Sequence, residues 1–395
     1  MLDTIKSMDE QFVLPTYARQ DIAFESGENA RLKDTEGKEY IDFTSGIGVV
    51  SVGHGNPVVS KAICEQVGRI THISNLYRIA PQADCARRIV ERSGYDMKCF
   101  FGNSGAEANE GAIKIARKYG EVDGQVKRYK IITLEHSFHG RTITALKATG
   151  QEAMHNYFGP FPDGFVYAKS IDEIEGLIDS HTVAVMIELV QGEGGVQPLD
   201  RAKVQALAAM LKKRDVLLMV DEVQTGIYRT GEFLASNLYG IEPDVITLAK
   251  GLGGGVPIGV VMTAKKDIFA PGDHGSTFGG NYLSTAAANA VLDVLEAYKE
   301  SGKLDEAFLY FETELKKLFE EYRGLFTDAV GFGMMRGLRA KDAETLARVI
   351  ANAREEGVLL LKAGRNTLRF LPPLTISREE MDEGFARLRR ALAAL

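Results

Sequence analysis

The chain has 395 residues, 45% hydrophobic and 26% charged, which suits one large unit with at least one substantial core. Its net charge of −7 argues against a nucleic-acid or anionic-membrane footprint. The N-terminal MLDTIKSMDEQF is charged throughout, no apolar run approaches the roughly 18 residues of a membrane span, and Cys64, Cys85 and Cys99 show no C-x-x-C spacing, so a cytoplasmic protein without disulfide, membrane segment or metal site is expected.

Strand candidates in chain order are 98–101, 129–134, 182–189, 216–220, 245–249 and 258–263, many of them separated by helical patterns. That alternation predicts an α/β fold with a mostly parallel sheet, in which ligands gather outside the carboxyl ends of the strands. The first candidate closes with Phe100 and Phe101. Asn103, Ser104 and Gly105 then make a tight turn into a helix carrying Glu107, Ile113, Ile115 and Ala116. Backbone N–H groups at that helix start, with the Ser104 hydroxyl, suit an anion such as a phosphate. A plain helix start capped by Ser104 or Asn103 reads equally well. The segment is neither a P-loop nor G-x-G-x-x-G.

After the second strand comes LEHSFHGRT. Phe138 can stack on a planar ring. His136 and His139 suggest a metal pair, but no third ligand lies nearby in sequence. Arg141 is a candidate for bidentate carboxylate binding, against a default of surface arginine. Asp221 ends the apolar run Val216 to Val220, and a carboxylate there needs a cationic or hydrogen-bonding partner. Lys250 ends the run Val245 to Ala249 and is followed by the glycine-rich GLGGGVPIG. A partly buried lysine has its pKa lowered and its amine made nucleophilic. A covalently bonding lysine and an aspartate facing a protonated pyridine nitrogen are the two anchors of pyridoxal phosphate. Either residue alone is more often a structural ion pair.

Beyond Ser284 the pattern changes. LDEAFLYFETELKKLFEEY places Leu304, Phe308, Phe311, Leu315, Leu318 and Tyr322 on one helical face, and MDEGFARLRRALAAL at the C-terminus is helical too. A smaller α+β domain is expected there.

Taken together, VLPTYARQ, DTEGKEYIDFTSGIGVVSVGHGNP, SNLYRIAPQ, FGNSGAEANEGAIKIAR, HSFHGRT, ELVQGEGGV, DEVQTGIYRTG, TLAKGLGGGVPIG, GSTFGGN and GRNTLRFLPPL resemble the class III (ω-) aminotransferases of fold type I, in that family's order and over most of the chain. The resemblance implies a large domain, 46–284, with a mostly parallel seven-stranded sheet, and a smaller discontinuous α+β domain from 1–45 and 285–395. It implies pyridoxal 5'-phosphate, bonded to Lys250, with Asp221 at the ring nitrogen, Gln224 near the ring hydroxyl, Phe138 against the ring face, and Ser104, Gly105 and Ala106 at the phosphate. Thr277 would come from the neighbouring subunit of a homodimer with shared active sites. Arg141 and Arg369 would bind substrate carboxylates, with Glu193 near Arg369 and Ser276 in the same substrate-binding set.

The implied reaction passes an amino group from a small-molecule donor to 2-oxoglutarate. VLPTYARQ, SGIGVV and SNLYRIAPQ favour N-acetylornithine as donor, with succinyldiaminopimelate as a second. Ornithine and 4-aminobutyrate remain alternatives. An aminomutase of the glutamate-1-semialdehyde type is a further one, against which Arg369 speaks. GFGMMRGLRA, with Arg336 and Arg339, departs from the more apolar and acidic stretch expected at that place.

Overall fold

Strands whose side chains are buried on both faces build the centre of the molecule. The computed structural model describes residues 1–122 and 124–395. Seven strands form its main sheet: β1 (Lys98–Gly102), β2 (Lys130–Leu134), β3 (Phe165–Ala168), β4 (Thr182–Ile187), β5 (Leu217–Asp221), β6 (Val245–Leu248) and β7 (Gly259–Thr263). Their order is β1-β7-β6-β5-β4-β2-β3. The neighbours from β6 through to β3 pair in parallel, while β7 runs antiparallel to both β6 and β1.

Every residue of β4, β5, β6 and β7 is buried, which explains their continuous apolar runs. Alternate residues feed opposite layers. Ile131, Ala184, Met186, Leu217 and Met219 pack with Ala112, Ile113, Ile115 and Ala116 of helix α1 (Gly105–Tyr119). Ile132, Val185, Ile187, Leu218 and Val220 pack with Val204, Leu207 and Leu211 of helix α2 (Arg201–Lys213). The six expected strands are present, with ends differing by one or two residues. The sequence reading did not list β3, a four-residue edge strand that is largely half-buried and lacks a long apolar run.

Two four-stranded sheets lie outside this one. One joins Phe24–Glu28, Arg31–Asp34 and Glu39–Asp42 to Val358–Leu359; the other joins Phe326–Phe332, Met335–Ala340, Leu361–Ala363 and Thr367–Phe370. After the long helix α3 (Tyr282–Glu300), helix α4 (Lys303–Glu321) buries Leu304, Phe308, Phe311, Leu315 and Leu318, the face read from its spacing, together with Glu314. Phe311 packs edge-on against Phe43 and Phe370 and tilted against Phe385 of helix α5 (Arg378–Ala393). This aromatic cluster anchors the strand that carries Arg369. Arg336 is a structural residue here. It donates to the Gly331 and Gly333 carbonyls and pairs with Glu312 of α4 at 2.6 Å. Arg339 donates to Gln197 at 2.6 Å. Among the described residues no helix is long and apolar enough to cross a membrane.

Candidate active site

The carboxyl ends of β1, β2, β5 and β6 open on one cavity of about 420 Å³. Asn103, Ser104, Gly105, Ala106, Phe138, Arg141, Asp221, Gln224 and Lys250 all line it, so residues spread over nearly 150 positions meet at one place. At the end of β1, Ser104 is the N-cap of α1. Its hydroxyl accepts from the Glu107 N–H at 3.2 Å, while Glu107 reaches back to the Asn103 N–H at 2.5 Å. The capped-helix reading is therefore correct. It does not compete with anion binding, because the N–H groups of Gly105 and Ala106 also belong to the first turn and have no intrahelical acceptor. A side chain at Gly105 would bring a Cβ within 2.7 Å of Val223, so glycine is what lets the helix start approach so closely.

Asp221 is only 3% exposed, yet its carboxylate lines the cavity. One oxygen accepts from Asn109 Nδ2 at 2.8 Å and lies 2.8 Å from His139 Nδ1; the other accepts from the Val223 N–H at 3.0 Å. Burial works against a charged His139, but the hydrogen bond and charge of Asp221 prevail and raise its pKa above the ordinary value. Lys250 stands two residues beyond the end of β6 with φ of +42°, a left-handed conformation unusual for lysine. Burial lowers the pKa of its amine, opposed by the charges of Glu193 and Asp221.

Beside the cavity, Arg369 is buried at 2% exposure. Its Nη1 lies 2.5 Å from Glu193 Oε1 and 3.4 Å from Oε1 of Gln224, and its Nε has no partner. Arg141 is exposed, with its guanidinium 5.6 Å from the centre of the Phe138 ring. Ser276 and Thr277 do not line the cavity. Ser276 Oγ accepts from Asn103 Nδ2 at 3.1 Å, which places it at the rim, while Thr277 is exposed. Among the described residues no group of three or more His, Cys, Asp or Glu could hold a metal ion, and His136 does not join His139 in the Asp221 network.

Residues 15–392 match the Aminotransferase class-III family. The chain belongs to the class-III aminotransferases. It is 62% identical over 391 residues to acetylornithine aminotransferase of Wolinella succinogenes, covering 99% of this chain and all of that one. Among solved structures it is similar to ornithine aminotransferase of Toxoplasma gondii, with 34% identity, a TM-score of 0.92, and 99% and 94% of the two chains covered; that structure is described as having partial occupancy of PLP at the active site. It is also similar to N-acetylornithine aminotransferase of Stenotrophomonas maltophilia, with 33% identity, a TM-score of 0.83 and 98% of each chain covered.

As a class-III aminotransferase the chain is a pyridoxal-phosphate-dependent transaminase, and its reaction exchanges an amino group between an amino and an oxo acid. The cavity's own chemistry fits that cofactor: a helix N-terminus for the phosphate, a buried carboxylate for the ring nitrogen, an aromatic side chain for the ring face and a lysine of depressed pKa for the aldehyde. Three members of the site escaped the sequence reading. Asn109 is a buried asparagine inside a helix, where asparagine is a poor choice unless its amide has a partner. His139 had been weighed only as a metal ligand. Glu188 is a charge inside the apolar run VMIELVQG, which was its available signal.

Proposed function

We propose that this aminotransferase moves the side-chain amino group of N2-acetylornithine to 2-oxoglutarate, giving N-acetylglutamate 5-semialdehyde and glutamate. The observation that carries this reading is the Arg369–Glu193 pair beside the Lys250 cavity. A donor that reacts through its side-chain amine leaves no carboxylate next to the reacting carbon, whereas 2-oxoglutarate has one there. A buried arginine with a displaceable, partly exposed carboxylate partner suits both in turn. The 62% identity to a relative named acetylornithine aminotransferase supports the same donor.

When bound, pyridoxal phosphate supplies an aldehyde for the amine and a ring that accepts electrons. Lys250 would hold it covalently, and the freed Lys250 amine, whose pKa burial lowers, would take a proton from the substrate carbon and deliver it again as general acid. Asp221, oriented by Asn109 and His139, keeps negative charge at the ring nitrogen. Gln224 and Phe138, which line the same cavity, would hold the ring hydroxyl and the ring face respectively. Arg141 at the mouth takes the distal carboxylate of either substrate, with Ser276 at the rim.

The working unit of this proposal is a homodimer in which Thr277 of each chain completes the phosphate site of the other. Its supports are the exposed Gly275, Thr277 and Phe278 of the GSTFGGN loop, with Phe278 59% exposed, and a helix, Leu2–Phe12, that buries none of its own residues. The same reading divides each chain into a cofactor domain, 46–284, and a smaller domain, 1–45 with 285–395. The test is an amine-donor panel with 2-oxoglutarate, following glutamate formation. N-acetylornithine should give the highest kcat/KM; a clear preference for ornithine or 4-aminobutyrate would sink the donor assignment.

A further inference from the structure

Glu188 lies in the turn after β4, lines the cavity and is 6% exposed. Its two carboxylate oxygens face different loops. Oε2 accepts from the Phe138 N–H at 2.9 Å, and Oε1 from the Gly192 N–H at 3.4 Å. The first loop carries Phe138, His139 and Arg141; the second carries Glu193. No arginine or lysine pairs with Glu188 among the described residues, so its desolvation is offset only by the two N–H donors and by charges that do not touch it. Burial pushes its pKa up to about 7, against the pull of His139, the Phe138 N–H and Lys250 and with the push of Asp221.

The two loops also touch directly and leave no slack. A Cβ on Gly194 would stand 2.7 Å from the His136 carbonyl oxygen, and Gln191 Nε2 donates to the Glu135 carbonyl at 2.9 Å. Beyond them, the Gly364 N–H donates to the Glu193 carbonyl at 2.8 Å, five residues before Arg369. An ionised carboxylate is acceptor-only and can take an N–H on each side. A glutamine turns an NH2 toward one of them. The chain therefore has a continuous path from the ring-face loop, through one carboxylate, to the Glu193–Arg369 pair.

We propose that Glu188 is a positioning residue that sets the Phe138 loop and the Glu193 loop together, so that cofactor binding and discrimination between donor types depend on the same carboxylate. This rests on the reading of Phe138 as the ring contact and of Glu193 as the partner Arg369 gives up. The test uses wild type, Glu188→Gln and Glu188→Asp. Cofactor affinity is measured by titrating apoenzyme with pyridoxal phosphate. Discrimination is the ratio of single-turnover rates for an ω-amine donor and for glutamate.

Glu188→Gln should weaken cofactor binding and shift the donor ratio toward glutamate, each by about tenfold, the scale of one lost charged hydrogen bond. Glu188→Asp, charged but too short to span both N–H groups, should move both quantities in the same directions, and it stands in if the glutamine variant does not fold. In a Glu193→Ala background, Glu188→Gln should no longer alter the donor ratio while still weakening cofactor binding. A change in one quantity without the other, a change in neither, or an undiminished effect on the ratio without Glu193 would overturn the inference. If N-acetylornithine proves not to be the donor, the ratio is read with the ω-amine that is, so the two failures are distinguishable.

Discussion

Removing the Arg369 guanidinium should separate the two halves of the proposed reaction. In the structure that group is buried, sits 2.5 Å from Glu193, and has one further contact at 3.4 Å to Gln224. Under the proposed reaction it would exchange Glu193 for the carboxylate next to the reacting carbon of 2-oxoglutarate in the acceptor half. In the donor half it would have no substrate group to bind and would stay with Glu193. A charged contact of this kind contributes about 3 kcal/mol, so Arg369→Ala should slow the 2-oxoglutarate half about 10²-fold. The N-acetylornithine half should change by no more than a few-fold. Glu193→Ala should do the reverse of a neutral change: it leaves a buried cation free for any α-carboxylate, so glutamate gains as donor over N-acetylornithine. Because Glu193 is partly exposed and water can replace it, the shift should be about tenfold rather than the larger loss of a fully buried pair. Each half is followed in single turnover through the absorbance of the bound cofactor. Equal slowing of both halves by Arg369→Ala would show that the division of labour is wrong.

Three further outcomes are expected. Asp221→Asn should keep the cofactor bound but lower turnover by about 10²-fold or more, since the amide removes the negative charge facing the ring; near-normal turnover would refute the electronic role. For Glu188, a folded pKa of about 7 against about 4.5 unfolded means that its favourable contribution is complete below pH 4.5 and is lost as pH rises through 7. The apo Glu188→Gln variant should therefore gain stability relative to wild type between pH 5 and pH 8, by at most about 3 kcal/mol; a melting-temperature difference that is flat over that range would contradict the buried-carboxylate argument. Mixing Lys250→Ala chains with Thr277→Ala chains should restore activity, because each mixed dimer has one intact site; no recovery, with subunit exchange confirmed, would exclude shared sites.

The parts of the site that sequence made legible are those at which a buried run stops at a residue with chemistry. Asp221, Lys250 and Ser104 each follow an apolar stretch, and strand burial on both faces makes such stretches continuous. The pairings across the fold were less accessible. His139 and Asp221 are 82 residues apart and Arg369 and Glu193 176 apart, and only the tertiary fold brings them together. The nearness of Arg369 and Glu193 came from the family resemblance and not from any local pattern. Glu188 went unread because its meaning lies in two backbone N–H groups, which no side-chain pattern reports. Strand β3 was missed for a related reason, since a four-residue edge strand with three half-buried residues leaves little periodicity to detect. Arg336 was singled out as a departure, and its account is local after all: it ties the 326–340 hairpin to α4.

The central claim is that nitrogen passes from the side-chain amine of the donor to the acceptor through the Lys250 site. N-acetylornithine labelled with nitrogen-15 at the side-chain amine, incubated with the holoenzyme and 2-oxoglutarate, tests it directly by mass spectrometry of the glutamate formed. Labelled glutamate should appear in equal amount with the unlabelled semialdehyde, and neither product should form with Lys250→Ala. Unlabelled glutamate, or label that stays in the donor skeleton, would contradict the assignment.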